Sequence, residues 1–346
     1  MLEERETAKK IYGFGLVGCG AVAAMHLEVI KRLPNARLIG VCDKDPTRAA
    51  EFAARMDAVA YPDIDALLSS HEIDVAIICT PSGMHAEQCV RALYAGCHVL
   101  VEKPLSLTAE GIAAVEKAAK ETGRTVAVVS QQRFSPAIQK IRALIDAGKL
   151  GKLLLADLSM IYHRDPSYYE QVPWRGTKAM DGGELFNQGV HGVDLLLYLC
   201  GDAVAVAGAT RTLTHSIEAE DTTVAMLEFA GGAVGTLRST TAATIGYPRR
   251  MSLYFSGGTV HLDDDLIALW DVPGVEKPEI TVDTARQAHR DPMAFSCDYH
   301  LAETADLLDA LDNCREPLLG LSEGKRAPEV ILAIYRAAET GERVTL

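Results

Sequence analysis

Short runs of apolar and β-branched residues alternate along the first part of the chain with stretches whose apolar positions recur at helical spacing. Residues 12–17, 37–42, 74–79, the run ending at Val101, and 125–129 read as strands. Helical patterns lie between them, through about Leu33, near 46–56, near 63–70, from about Met84 to Ala95, and from about Thr108 to Thr122. Alternation of this kind predicts a parallel, doubly wound α/β sheet.

After Gln131-Gln132-Arg133-Phe134 the character changes. Segments 153–162, 203–213, 222–229, 233–242 and 250–255 are extended, with glycine-rich turns at Ala230-Gly231-Gly232 and Ser256-Gly257-Gly258. This pattern predicts a largely antiparallel sheet in a second, α+β domain. The expected division is residues 1–130 for the first domain and 131–346 for the second, with no repeat or low-complexity linker between them.

Composition narrows the function. With 346 residues and 48% hydrophobic side chains, the chain can bury two ordinary cores. A net charge of −13, spread along the chain, argues against nucleic acid or an anionic membrane as partner and points to small molecules. The first ten residues are highly charged and lack the apolar region of a signal peptide, and no apolar run approaches a membrane span. Eight scattered cysteines, without Cys-x-x-Cys or zinc-site spacing, read as reduced thiols in a cytoplasmic protein, and no metal is expected.

The motifs follow the strand ends. Gly18-Cys19-Gly20-Ala21-Val22-Ala23, between a strand and a helix, matches the dinucleotide fingerprint Gly-x-Gly-x-x-Gly/Ala. Its glycines allow a tight turn and close approach of a pyrophosphate, which the helix amino terminus attracts. Asp43, at the end of the next strand, stands where a carboxylate meets the adenosine ribose hydroxyls and repels a 2′-phosphate, favouring NAD. Lys44 and Arg48 weaken that preference, so NADP stays open as the alternative. Thr80-Pro81-Ser82 follows a further strand and should lie beside the cofactor, whereas His85 reads as a helix-start residue with a local hydrogen bond.

Glu102-Lys103-Pro104 breaks abruptly from its apolar run. Residues just past the carboxyl end of a parallel strand face the ligand crevice, so Lys103 should reach the active site. The proline pushes Lys103 out of the helical region. A polar turn is the plain alternative. Farther on, Asp181-Gly182-Gly183 enters a helical stretch in which Asn187, His191 and Asp194 fall at i, i+4 and i+7 on one face. In that setting His191 is a candidate general base instead of a merely satisfied core histidine.

The order and spacing of these segments, from the Gly18 fingerprint through Glu102-Lys103-Pro104, Arg133, the Gly182 to Asp194 block and Ala333-Ile334-Tyr335, resemble the Gfo/Idh/MocA family over nearly the whole chain. That resemblance implies a pyridine-nucleotide enzyme acting on sugars or cyclitols, with a Rossmann domain and an open C-terminal sheet enclosing the substrate. It places the catalytic lysine on Lys103 and the histidine on His191. Many members carry Asp where this chain has Asn187, which removes a carboxylate that would stabilise an imidazolium. The Asn-Gln form of the block, with Val172-Pro173-Trp174-Arg175-Gly176-Thr177, looks most like the UDP-N-acetylglucosamine-type and glycoside 3-dehydrogenases. The family also implies a homo-dimer or homo-tetramer assembled through the sheet face.

The cofactor set expected on this basis is Gly18, Gly20, Ala21, Val22, Asp43, Lys44, Arg48, Thr80, Pro81, Ser82, His85, Glu102 and Lys103. The expected substrate set is Lys103, Arg133, Arg164, Tyr168, Trp174, Arg175, Asn187 and His191, in which aromatic residues cover a sugar face and Arg164 or Arg175 pairs with a carboxylate or phosphate. Arg249-Arg250 reads as a solvated strand start. The expected reaction is oxidation of a ring secondary alcohol, at C3 of a pyranoside or nucleotide sugar. The alternatives are an inositol or polyol dehydrogenase, an NAD-dependent glycosidase, and a dinucleotide-binding regulator without turnover. The presence of both Lys103 and His191 counts against the last.

Overall fold

The computed structural model describes residues 10–280 and 297–346; the charged segment before residue 10 lies outside the described residues. The first half alternates β1 (Tyr12–Val17), α1 (Ala23–Arg32), β2 (Ala36–Cys42), α2 (Pro46–Ala54), β3 (Val59–Tyr61), α3 (Ile64–Leu68), β4 (Val75–Ile78), α4 (His85–Tyr94), β5 (His98–Val101), α5 (Ala109–Thr122) and β6 (Val126–Val128). The three-residue β3 is too short to show in the apolar pattern. All pairings are parallel, in the order β3-β2-β1-β4-β5-β6. The order reverses between β1 and β4, and a parallel sheet opens its ligand crevice at such a switch point, outside the carboxyl ends of the strands.

The second half begins with α6 (Pro136–Asp146), β7 (Leu153–Ile161), α7 (Pro166–Glu170), α8 (Val190–Cys200) and β8 (Ala203–Arg211). It continues with β9 (Thr222–Phe229), β10 (Val234–Thr240), β11 (Arg250–Phe255), β12 (Gly258–Asp263) and β13 (Leu266–Asp271). The helices α9 (Asp298–Asp312), α10 (Leu321–Gly324) and α11 (Arg326–Thr340) precede a short β14 (Val344–Thr345). The eight strands run β13-β12-β11-β7-β10-β9-β8-β14, antiparallel except for the parallel β7–β10 pair. One face of this sheet packs its Leu158, Met160, Leu227 and Leu237 against Val193, Leu196 and Ile331 of α8 and α11. On β9 the alternation sends Ala225 and Leu227 inward and leaves Val224 and Met226 exposed.

The turn that leads from the first half into the second is held by buried polar contacts. A single 3-10 turn at Gln131–Phe134 follows β6 and carries Arg133 into the interior, where it is fully buried. Its guanidinium binds both oxygens of Asp194 on α8, at 2.8 and 2.7 Å, and Glu323 on α10 at 2.8 Å. It also lies 4.6 Å over the Tyr198 ring. Arg133, expected at the substrate, is therefore a structural residue whose donors are used inside the protein. Asp194 is drawn away with it, and the helical stretch opens with a π-helical turn, Leu185–Gly189, ahead of α8. Two later segments return to the first half: α9 adds Leu307 and Leu308 to the core of Phe14, Leu16 and Leu27, and Val128 donates its N–H to Leu319 O at 2.9 Å.

No helix among the described residues is long and apolar enough to cross a membrane. Removing one partner of a fully buried ion pair strands the other charge, which costs about 3–5 kcal/mol. Asp194→Ala leaves Arg133 with the half-exposed Glu323 alone and should lower the unfolding free energy by up to about that amount in a denaturant titration, and a loss below about 1 kcal/mol would contradict the bracing role of Arg133.

Candidate active site

The crevice at the switch point is one continuous cavity of about 1520 Å³, lined from both halves. That exceeds the roughly 300–1,000 Å³ of ordinary single-ligand pockets, so it has room for two bound molecules side by side. Gly18, Gly20, Ala21, Val22, Asp43, Lys44, Arg48, Thr80, Pro81, Ser82, His85, Glu102 and Lys103 all line it.

The dinucleotide end follows from the turn after β1. Gly18 adopts φ +90°, and a Cβ there would stand 2.8 Å from Cys79 O. A Cβ on Gly20 would meet nothing within 4 Å, because that residue borders open cavity. Asp43 ends the next strand, its Oδ2 accepting from Cys19 N at 2.8 Å and its Oδ1 from Asp45 N at 2.9 Å. A carboxylate has about four acceptor positions, so both oxygens can still take ribose hydroxyls. Arg48 approaches Asp43 Oδ1 at 3.6 Å. An open cradle over glycine backbone, with an acid at the adenosine end, fits a nicotinamide dinucleotide. His85 has both ring nitrogens on main-chain carbonyls, Pro104 O at 2.7 Å and Thr80 O at 2.8 Å, in keeping with a helix-start role.

Lys103 and His191 meet where the two halves face each other. Lys103 leaves the end of β5, its peptide to Pro104 is cis, and its ammonium donates to Asn187 O at 2.6 Å. Burial pulls the Lys103 pKa down, against which the charges of Glu102 and Asp181 push it up. Burial alone would raise Glu102, but the hydrogen bond from His26 at 2.9 Å and the nearby cations bring it to about 2. His191 opens α8 and borders the same cavity; burial first, then the neighbouring ammonium of Lys103, hold its pKa well below the ordinary histidine value. The imidazole is neutral at pH 7 and able to accept a proton.

The opposite wall is aromatic and cationic. Tyr168, Trp174 and Arg175 line it, with the Arg175 guanidinium 4.1 Å over the Tyr168 ring and 5.3 Å over Trp174. Asn187 joins them, its amide donating to Asp181 Oδ1 at 2.5 Å, and Gln188 donates to Tyr168 OH at 3.1 Å. Arg164 does not reach the cavity. It is buried behind that wall, donating to Gln188 Oε1 at 2.9 Å and to His163 O at 2.8 Å. The anion-binding part expected for Arg164 is thereby corrected to support of Gln188.

Arg249 corrects the sequence reading in the other direction. It is buried, not solvated, lines the cavity, and donates to Gln132 Oε1 and to Asp264 O at 3.1 Å, whereas Arg250 does remain exposed on Asp263. Gln131, Gln132, Asp181, Tyr299 and His300 also border the cavity without having been singled out. Gln131 and Gln132 follow β6 at its carboxyl end, so the strand-end rule that selected Lys103 could have found them. Tyr299 and His300 arrive on α9, from a remote part of the sequence that no local pattern connects to the site.

A Rossmann sheet with a dinucleotide cradle, opening onto a lysine and a neutral histidine, defines an NAD-dependent oxidoreductase. The comparisons with known proteins agree. Residues 12–130 match the oxidoreductase family model with NAD-binding Rossmann fold, and residues 138–261 match the GFO/IDH/MocA C-terminal domain. Inositol 2-dehydrogenase of Rhizobium meliloti is 30% identical over 252 residues, 71% of this chain and 74% of the relative. Myo-inositol 2-dehydrogenase of Thermotoga maritima is 26% identical over 259 residues, covering 72% and 75%. The WlbA dehydrogenase of Bordetella pertussis, in complex with NADH and UDP-GlcNAcA, has a TM-score of 0.88 at 30% identity, with 98% of this chain and 99% of that chain covered. The chain belongs to the Gfo/Idh/MocA family and is an NAD-dependent oxidoreductase of the sugar and polyol class.

Replacing Asp43 removes a charged hydrogen-bond acceptor worth about 1.5–3 kcal/mol. Asp43→Ala should therefore weaken NADH binding by roughly ten- to a hundredfold and narrow the margin over NADPH, read by nucleotide fluorescence titration. An unchanged NADH affinity would contradict the ribose contact.

Proposed function

We propose that this enzyme oxidises a ring secondary alcohol of a pyranoside or nucleotide sugar, at C3, with His191 as base and Lys103 as the oxygen-holding group. The observation that carries the reading is the meeting of Lys103, from the nucleotide sheet, with His191, from the substrate half, in a cavity too large for the dinucleotide alone. Bound NAD supplies the hydride acceptor.

The chain's own residues supply the rest. As the C–H bond gives up its hydride, the hydroxyl proton passes to the neutral imidazole of His191, leaving a carbonyl. Lys103 uses one of three N–H donors on Asn187 O and keeps two for the reacting oxygen, where it stabilises developing negative charge. The same ammonium disfavours an imidazolium, so His191 releases the proton to solvent from the cavity it lines instead of storing it. The low pKa of His191 also lets it stay unprotonated into mildly acidic solution.

Arg175 over Tyr168 and Trp174 suits a sugar face with an anionic substituent, and the UDP-GlcNAcA in the Bordetella relative is such a molecule. The inositol dehydrogenases among the relatives support the polyol reading, for which a cation on the wall has no counterpart. The Asp43 carboxylate favours NAD over NADP, and the exposed Val224, Met226 and Val234 suit pairing of the sheet face with a second copy.

The reduced-nicotinamide absorbance tests the substrate class. With NAD present, it should grow on adding a UDP-N-acetylhexosamine or its uronate, and less or not at all with simple glycosides or inositols. Turnover of inositols alone would replace the sugar reading with the polyol one. Release of an aglycone would mark the glycosidase. The acid limb of kcat/KM should lie well below the ordinary histidine value, because the base keeps its free form as pH falls. A limb at or above the ordinary histidine value of about 6.5 would remove His191 from the role of base.

A further inference from the structure

Directly behind the reacting groups, Asp181 is 2% exposed and has both oxygens engaged by N–H donors. Oδ1 accepts from the Asn187 amide at 2.5 Å, and Oδ2 from the Gly176 main chain at 2.7 Å. Two N–H donors on two oxygens favour the ionised carboxylate, which has acceptor positions on both. The main-chain carbonyl of the same Asn187 holds the Lys103 ammonium at 2.6 Å. One residue thus grips the lysine with its backbone and the acid with its side chain.

We propose that Asp181 is the positioning residue and counter-charge of Lys103, acting through Asn187. This rests on the reading of Lys103 given above. Several charged or titratable groups face Lys103. Glu102 stands beside it on the β5 exit, Asp181 and Arg175 come from the loop before the π-helical turn, His191 from α8 and His85 from the start of α4. Only Glu102 and Asp181 among them are acids. Glu102 is already bound to His26, whereas Asp181 is tied to the residue that holds the ammonium. Around Asp181 lie Arg175 and Lys103 as cations, with Glu220, Tyr169 and Tyr335 on its inner side.

Burial raises the Asp181 pKa, and the Gly176 and Asn187 donors oppose that rise. Lys103 shows the reverse balance, pulled down by burial and pushed up by Glu102 and Asp181. Loss of the Asp181 charge therefore leaves Lys103 with a lower pKa, and its charged form gives way at lower pH.

The pair can be exchanged. In Asp181→Asn alone, an amide meets two donors with a single acceptor oxygen, so one donor is left without a partner. Adding Asn187→Asp reverses the polarity. The amide then at position 181 would accept from Gly176 through its oxygen and donate to the carboxylate then at position 187. Charge and hydrogen bonds are both restored.

Competitive acetylation of Lys103, followed by mass spectrometry across pH in the NAD-loaded protein, reads this charge without any sugar substrate. Failure of the proposed reaction would leave the readout intact. The titration of Lys103 should fall by about one pH unit in Asp181→Asn and return in the Asp181→Asn/Asn187→Asp protein. Turnover should fall at least roughly tenfold in the single variant. An unmoved Lys103 titration in the single variant overturns the proposal, even if turnover falls. If the single variant does not fold, the double one decides: a folded protein with the parent titration supports the pairing, and a double variant that misfolds or keeps a lowered titration overturns it.

Discussion

The site depends on keeping one ammonium charged inside a cleft that disfavours charge. Lys103 is delivered by the end of β5 into the space between the two halves, where burial works against its protonated form. Two carboxylates oppose that pull, Glu102 from the same strand exit and Asp181 from the facing half. Donors favour the ionised form of each acid, His26 for Glu102 and Asn187 with Gly176 for Asp181, although burial still raises the Asp181 pKa. The charge pattern crosses the boundary between the halves, so the chemistry requires them to be fixed against each other. Leu307 and Leu308 of α9 in the core of Phe14 and Leu27, and the Val128 N–H on Leu319 O, do so, while Arg133 ties the turn after β6 to α8 and α10 through Asp194 and Glu323.

Burial first, and then the same positive charge, explain the state of the histidine. A lysine and a histidine in one cavity compete for protons, and here the competition is lost by His191. In the proposed mechanism that separation of pKa values divides the roles of donor and acceptor between them. An amide and not an acid at position 187 fits this arrangement, since a carboxylate there would help the imidazolium. The negative charge stands one hydrogen bond farther back, at Asp181, behind the lysine.

Much of the fold was legible because parallel strands buried on both faces leave apolar runs, and their ends are marked by Gly18, Asp43, Thr80 and Lys103. The antiparallel half was legible in outline from its extended segments and glycine turns. The parallel β7–β10 pair was not, since pairing partners far apart leave no mark on either strand. In the site, residues at strand exits were found and residues on the second half were half found. Tyr168, Trp174, Arg175, Asn187 and His191 reach the cavity. Arg133 and Arg164 do not, because an arginine that braces an interior and one that greets a ligand look alike until burial is known. Arg249 shows the converse: it passed for a solvated residue and lies buried against the cavity.

The central claim is that Lys103 serves the reacting oxygen and not the fold or the dinucleotide, and Lys103→Ala tests it most directly when turnover and NADH affinity are measured on the same protein. The account predicts a kcat lowered by about a hundred- to a thousandfold, with NADH binding within roughly threefold of the parent. Unchanged turnover, or loss of NADH binding in parallel with it, would contradict the account.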